Sequence, residues 1–282
     1  MDEPQKYMAW CLDPVHIGTG GYRLGRVDMS IVREPSTGIP KIPGTSLAGA
    51  IRAYAEVAQK ADNSLPDPKV VFGNIDGDAG IQGMLRFYDG DIVLFPVCSH
   101  VGTVWASTRA RLQRWLSSSD QGETMKLPLA EIDQNKVLVL KGLDNAKPVH
   151  MGWLLLETEL SRGIEAVRLP SSLSFVRRLV AVSDKLFHHL VNDHLEVRTS
   201  VEMEDNTGAA KGGALFTYEA IPRGTVVGFE VALDTRRGKE ICGEGVEKLL
   251  RAAFDTLKVL GVGGMGTRGF GRIEVLDRGS AL

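Results

Sequence analysis

Cysteine is scarce in this chain. Cys11, Cys98 and Cys242 are odd in number and far apart, which excludes a disulfide framework and offers no metal-ligand spacing. Long hydrophobic runs are missing too: none reaches the ~18 residues a membrane helix needs. The opening Met1-Asp2-Glu3-Pro4-Gln5-Lys6 is too polar for a secretory signal, so the expected compartment is the reducing cytoplasm, with no membrane partner. An excess of one charge is also absent. Lys and Arg total 33 against 35 Asp and Glu, for a net charge of −2. A stand-alone nucleic-acid binder usually carries a basic excess, so one copy of this chain should hold such a ligand weakly. There is no internal repeat and no low-complexity segment. The 282 residues, 43% hydrophobic and 24% charged, suffice for a large globular core.

Glycine is what the chain has, concentrated near its end. Gly261-Val262-Gly263-Gly264-Met265-Gly266-Thr267-Arg268-Gly269-Phe270-Gly271-Arg272 holds six glycines, two arginines and one aromatic. Glycine lets main chain turn tightly and approach a ligand with bare N–H groups. Arginine adds cationic forks that suit phosphate. Gly261, Gly263 and Gly266 satisfy a dinucleotide fingerprint, but that motif needs a strand before it and a helix after it. Here Val246, Leu249, Leu250, Ala253, Phe254 and Leu257 recur at helical spacing before the loop, and a strand-like run, Arg272 to Leu276, follows. A phosphate-binding P-loop fails because Arg268 stands where Ser or Thr is required. The spacing that fits fully is G-h-G-x5-G-h-G (h, apolar).

Local pattern predicts mixed α and β structure. Strands are expected at Lys6–Leu12, Val137–Lys141, Trp153–Leu160, Leu179–Ser183 and Val226–Leu233. Met84 to Pro96 reads as a hairpin turning at Tyr88-Asp89-Gly90-Asp91. Helices are expected from Ser46, as N-cap, to about Lys60, at Thr103–Leu116, Asp184–Asp193 and Glu244–Leu260. Asn63 to Gly83 reads as loop. Val197–Met203 and Ala214–Glu219 alternate around Glu204-Asp205-Asn206-Thr207-Gly208 as a second hairpin. The first strand, first helix, Met84 hairpin, last helix and last strand thread as β-α-β-β-α-β. The fold class is therefore α+β, a modified ferredoxin-like (RRM-like) palm with long insertions, read as a single domain over 1–282.

The double glycine signature is that of the RAMP superfamily of CRISPR-associated RNA-binding proteins, and the loop resembles it in spacing and position. A second stretch supports the likeness: Ile17-Gly18-Thr19-Gly20-Gly21, Gly25-Arg26-Val27-Asp28, and Pro43-Gly44-Thr45-Ser46-Leu47 with Gly49, Ile51 and Arg52. One departure is Ala48, where a Lys is usual. Arg178 to Asp184, Gly213 to Phe216 and the Met84–Pro96 segment resemble the repeated backbone subunits of type III-B (Cmr) effector complexes. The resemblance implies partners: CRISPR RNA, complementary target RNA, further copies of the chain in a helical stack, and other Cmr subunits. It also implies cleavage of target RNA at regular spacing.

By the same likeness Asp28 stands at the catalytic aspartate. RNA carries its own nucleophile, the 2′-OH, and a carboxylate can assist as general base or by holding a divalent ion, Mg²⁺ or Mn²⁺. His16, in the same loop, is a candidate helper. Arg23, Arg26, Lys41, Arg52, Gly263, Gly264, Arg268, Gly269, Gly271 and Arg272 are the candidate RNA contacts, suited to the sequence-independent backbone. Replacement of Gly269 or Gly271 by a bulky residue is expected to weaken RNA binding and spare the fold. The hairpin within 195–222 resembles the family's thumb, with Val201 and Met203 placed to wedge against bases. Two other readings stay open: an RNA-binding backbone subunit in which Asp28 is inert, and a nuclease that matures precursor CRISPR RNA.

Overall fold

The strand Gln5–Cys11 alternates its side chains between two buried faces, and the molecule is assembled around it. The computed structural model describes residues 3–20, 27–76, 79–116, 132–144, 147–160, 169–203, 210–237 and 243–276. On one face Ala9 and Cys11 meet the apolar stripes of helices Gly44–Ala61 (Leu47, Ile51, Ala55) and Gly243–Leu260 (Leu249, Ala253, Leu257). On the other, Met8 and Trp10 meet Leu112 and Trp115 of helix Arg109–Leu116. A Cβ at Gly228 would lie 2.6 Å from the Trp115 ring, so glycine is what lets this indole lie flat on the sheet. Each fully buried Leu, Ile or Phe stabilises by about 1.5–3 kcal/mol, and these stripes fix where the helices sit.

One sheet runs through the molecule. Its spatial order is Ile273–Leu276, Gln5–Cys11, Val226–Leu233, Gly90–Val97, Val104–Thr108, Leu179–Val182, Lys136–Lys141, Leu154–Leu160, Val149–Met151. The first four are antiparallel neighbours. With the two long helices, they reproduce the ferredoxin-like palm: fourth strand, first, third, second. The chain from 104 to 220 is inserted between the palm's second and third strands. It supplies the far half of the sheet and an antiparallel hairpin, Glu196–Met203 with Ala210–Ala220. This hairpin lies within 195–222, where the resemblance implies a thumb. No helix among the described residues is long and apolar enough to cross a membrane.

Several local expectations change. Met84 to Pro96 is one interrupted strand, not a hairpin. Leu85–Phe87 and Gly90–Val97 both pair antiparallel with Val226–Leu233, and Tyr88 N–H keeps the ladder by donating to Glu230 O at 3.0 Å. The Asp-Gly pair makes a break that receives the first helix: Asp89 accepts the Gly44 N–H at 2.8 Å. Asp89 therefore serves that helix start from outside, and Ser46 lies within the first turn. A Cβ at Gly44 would come within 2.4 Å of Phe87 O. Thr103–Leu116 divides into strand Val104–Thr108 and helix Arg109–Leu116, since Val104 and Ala106 are buried by sheet neighbours. The stretch from Asn63 to Gly83 holds helix Pro68–Phe72, capped by Asp67, and a small hairpin, Gly73–Asp76 with Ala79–Gln82.

Candidate nucleic-acid interface

The thumb strand Ala210–Ala220 has a partner along one edge, and its other edge collects the loops that follow the first palm strand. Val15 and Ile221 exchange both main-chain bonds, at 2.8 and 2.9 Å. Farther out, Met29 N–H donates to Thr217 O at 3.0 Å, and Glu219 N–H donates to Met29 O at 3.2 Å. Extended main chain leaves such donors and acceptors in a row along a strand edge. Here the loop carrying His16 and the segment carrying Asp28 occupy that row.

Asp28 is half-buried beside Thr217. Its Oδ2 accepts the Thr217 N–H at 2.7 Å and the Thr217 hydroxyl at 2.9 Å. The same hydroxyl accepts the Asp28 N–H at 3.1 Å. These bonds, the main-chain one first, favour the anion and hold the carboxyl below its usual range. Both Thr217 donors meet Oδ2, and neither meets Oδ1.

His16 is buried, and its Nδ1 lies 2.7 Å from Glu219 O. Its ring meets Tyr218 edge-on at 6.1 Å, and its main-chain carbonyl accepts the Gly264 N–H at 2.9 Å. His16 thus ties loop, thumb and glycine segment together. The Glu219 side chain is buried, and Arg33 Nη2 donates to both of its carboxylate oxygens, at 2.9 and 2.8 Å, while Oε1 also accepts the Ile31 N–H at 3.0 Å. Arg33 also donates to Gly38 O and to Asn192 Oδ1. With the Glu219 N–H bond to Met29 O, these bonds fix the segment that runs on from Asp28 and Met29. Neither Arg33 nor Thr217 was among the sequence candidates. Their partners lie 186 and 189 residues away along the chain, and no local pattern carries such a pairing.

The glycine segment closes the site from below. Gly261, Gly263, Gly269 and Gly271 all have positive φ. Three of them are forced by contacts within the protein. A Cβ would lie 2.4 Å from Gly271 C at Gly261, 2.5 Å from His16 O at Gly263, and 2.5 Å from Val262 O at Gly271. The expectation that Gly271 could be enlarged without harm to the fold is therefore corrected. At Gly266 and Gly269 a Cβ would meet open space, which leaves that part of the turn accessible. Phe270 is buried against Tyr218, with ring centroids 5.5 Å apart. Arg198 stacks on Phe270 at 4.5 Å and Arg268 on Phe216 at 5.3 Å. Stacked guanidinium planes of this kind suit phosphate and bases, and Arg268 has no carboxylate partner among the described residues.

The model of the RAMP superfamily matches residues 11–274, from the end of the first strand to the last. The chain belongs to the RAMP superfamily. A curated relative is the CRISPR system Cmr endoribonuclease Cmr4 of Pyrococcus furiosus, 27% identical over 94% of this chain and 92% of its own length. Two solved structures share the RAMP fold at low identity. A chain of the type III-B Cmr-beta complex bound to cognate target RNA aligns with a TM-score of 0.73 at 16% identity, covering 98% of this chain and 97% of the other. Oligomeric Cmr4 from Pyrococcus furiosus aligns with a TM-score of 0.63 at 19% identity, over 96% and 98%.

Of the candidate residues in this RAMP chain, Asp28, His16, Gly263, Gly264, Arg268, Gly269 and Gly271 converge on the thumb edge and the loops around it. The Lys41 ammonium lies between Glu34 at 2.9 Å and Asp89 at 2.7 Å. Arg272 pairs with Asp13, and Arg52 pairs with Glu56 one turn along its helix. These three have carboxylate partners already, so an RNA phosphate would have to compete for them. Arg23 and Arg26 lie outside the described residues. On the thumb, Val201 is exposed and stands opposite exposed Leu215, on the same hairpin face as Thr217. Leu215 is not among the residues the sequence suggests for a wedge. Met203 pairs through main chain with Ala210, and its side chain lies outside the described set.

Proposed function

We propose that this chain is the repeated backbone subunit of a type III-B Cmr complex, and that Asp28 serves in cutting target RNA. The observation that carries the reading is the placement of Asp28. Its carboxylate is fixed through one oxygen to the thumb strand that also presents Val201 and Leu215. The likeness to Cmr4 along 94% of the chain supports assembly as a backbone. Guide RNA would lie against the open glycine turn at Gly266 and Gly269 and the Arg268 guanidinium. Those contacts read backbone and not sequence. One copy neutralises few phosphates, so many copies stacked on one strand, in the cytoplasm and beside other Cmr subunits, make the affinity.

In the reaction, the target 2′-OH attacks its own 3′-phosphate. The 2′-OH proton passes to water, the bond to the 5′-oxygen breaks, and that oxygen takes a proton from water, leaving a 2′,3′-cyclic phosphate and a 5′-hydroxyl. The Thr217 hydrogen bonds make Asp28 a weak base, so the Asp28 anion contributes chiefly as negative charge at a fixed point. Among the described residues no three His, Cys, Asp or Glu side chains gather into a metal cage. A single carboxylate oxygen joined by RNA phosphate oxygens and water does fit Mg²⁺ or Mn²⁺. Such an ion, held on Asp28 Oδ1, would neutralise charge building on the phosphate. His16, buried and bonded to Glu219 O, positions the loop.

The test is a cleavage ladder. The assembled complex is given guide and matched target RNA, with Mg²⁺ or Mn²⁺ or with chelator. Evenly spaced products that vanish in Asp28→Asn complexes, with target binding retained, are expected. Undiminished cutting by Asp28→Asn would leave a purely structural backbone subunit. Cutting that survives chelation would remove the divalent ion from the reading.

A further inference from the structure

The thumb strand does more than present apolar side chains, because Thr217 meets Asp28 with its main chain and its side chain together. From this geometry we infer that Thr217 is a positioning residue for cleavage, aiming and holding the Asp28 carboxylate through its hydroxyl. The inference rests on the reading of Asp28 as the cutting residue.

A threonine hydroxyl has one proton to give and two lone pairs to receive. Here a lone pair takes the Asp28 N–H at 3.1 Å, and the proton goes to Asp28 Oδ2 at 2.9 Å. The hydroxyl rotor is thereby set by the residue it serves. The Thr217 N–H adds a bond of 2.7 Å to the same oxygen. Both donors converge on Oδ2, so the carboxylate is anchored through that oxygen, which leaves Oδ1 for the reaction. β-Branching restricts χ1 of threonine, and its strand neighbours fix the main chain. Valine at 217 would keep shape and the N–H bond but lose the hydroxyl, freeing the carboxylate to swing.

Placement couples this anchor to the wedge. Leu215, Thr217 and Glu219 share one face of the thumb strand at successive alternate positions. Leu215 is exposed, Thr217 holds Asp28, and Glu219 holds Ile31 and Arg33. A base step seated against Leu215 is thus registered to the carboxylate by a single stretch of strand.

The experiment uses assembled complexes with guide RNA and measures single-turnover cutting per bound target for wild type, Thr217→Val, Thr217→Ser, Asp28→Asn and the Asp28→Asn, Thr217→Val double variant. Loss of one charge-assisted bond from a positioned group should slow Thr217→Val by about 10- to 100-fold. Thr217→Ser, which keeps the hydroxyl, should recover most of that loss. In the Asp28→Asn background the valine should add nothing. Because the rate is counted per bound target, a variant that assembles poorly still answers the question. Wild-type cutting by Thr217→Val beside inactive Asp28→Asn would overturn this inference and leave the Asp28 reading intact. A further loss in the double variant would likewise overturn it, by showing that Thr217 acts elsewhere. Wild-type cutting by Asp28→Asn would overturn the Asp28 reading itself.

Discussion

Alanine at Gly271 and alanine at Gly269 should behave oppositely, though both sit in the same signature. Gly271 has φ of 95° and Gly269 has φ of 77°. Either alanine meets the conformational cost of positive φ, about 1–2 kcal/mol. At Gly269 nothing lies within 4 Å of the new methyl, so the cost ends there. At Gly271 the methyl would lie 2.5 Å from Val262 O, a main-chain atom that cannot swing aside. Relief requires parting the clamp in which Val262 N–H donates to Gly271 O and Gly271 N–H donates to Pro14 O, each at 2.9 Å. Those bonds are worth about 0.5–1.5 kcal/mol apiece. The Gly271→Ala total is then about 2–5 kcal/mol, or roughly 5–20 °C in melting temperature for a chain of this size. The assay is thermal melting followed by circular dichroism, with guide-RNA binding measured well below the melt. Gly269→Ala should melt about 2–8 °C below wild type, and a bulkier residue there should weaken guide binding. A Gly271→Ala protein that melts with wild type would refute the clamp. So would a Gly269→Ala protein that proves the less stable of the two.

Asp28→Asn should lower cutting by at least the 10²–10⁴-fold typical of losing one catalytic group, with guide and target binding kept in a parallel filter assay. Asp28 should titrate below the ordinary value of 3.8, because Thr217 stabilises its anion. A folded-state pKa lowered in this way gives stability that is present above 3.8 and fades as pH falls through the lower value. Carboxyl-carbon NMR should show the midpoint moving up toward 3.8 in Thr217→Val. Glu219→Gln should leave Arg33 without its counter-charge; since Arg33 keeps 29% exposure, about 1–3 kcal/mol is expected, read as a lower melting temperature. Val201→Ser with Leu215→Ser should slow cutting or blunt its even spacing while guide binding stays at wild type, and an unchanged ladder would deny the wedge its role.

Secondary structure was legible where one element decides its own burial. The stripes at Leu47, Ile51 and Ala55, and at Leu249, Ala253 and Leu257, predict helices because period 3.6 makes a face, and those faces are the buried ones. The glycine signature was legible because its spacing is strict, and the family match spans it. The Met84–Pro96 segment carries a hairpin signal and yet runs as one interrupted strand, for a physical reason. Asp89-Gly90 has turn chemistry, but the competing pairing with Val226–Leu233 satisfies both arms at once. That pairing joins strands far apart in sequence. Thr103 was likewise assigned to a helix, when neighbours on both sides draw Val104–Thr108 into the sheet.

The sequence alone determined the family, the two palm helices and the hairpin within 195–222, since each is written in a contiguous stretch with its own period or spacing. Tertiary structure alone decided what those residues do to one another. It placed Asp28 on Thr217, His16 on Glu219 O and Arg33 on the Glu219 carboxylate. It paired Lys41 and Arg272 with carboxylates, divided the glycines into a clamp and an open turn, and added Leu215 to Val201. Hydrogen bonds and ion pairs act within about 3 Å, and chain positions nearly two hundred residues apart reach that distance only after the sheet has formed.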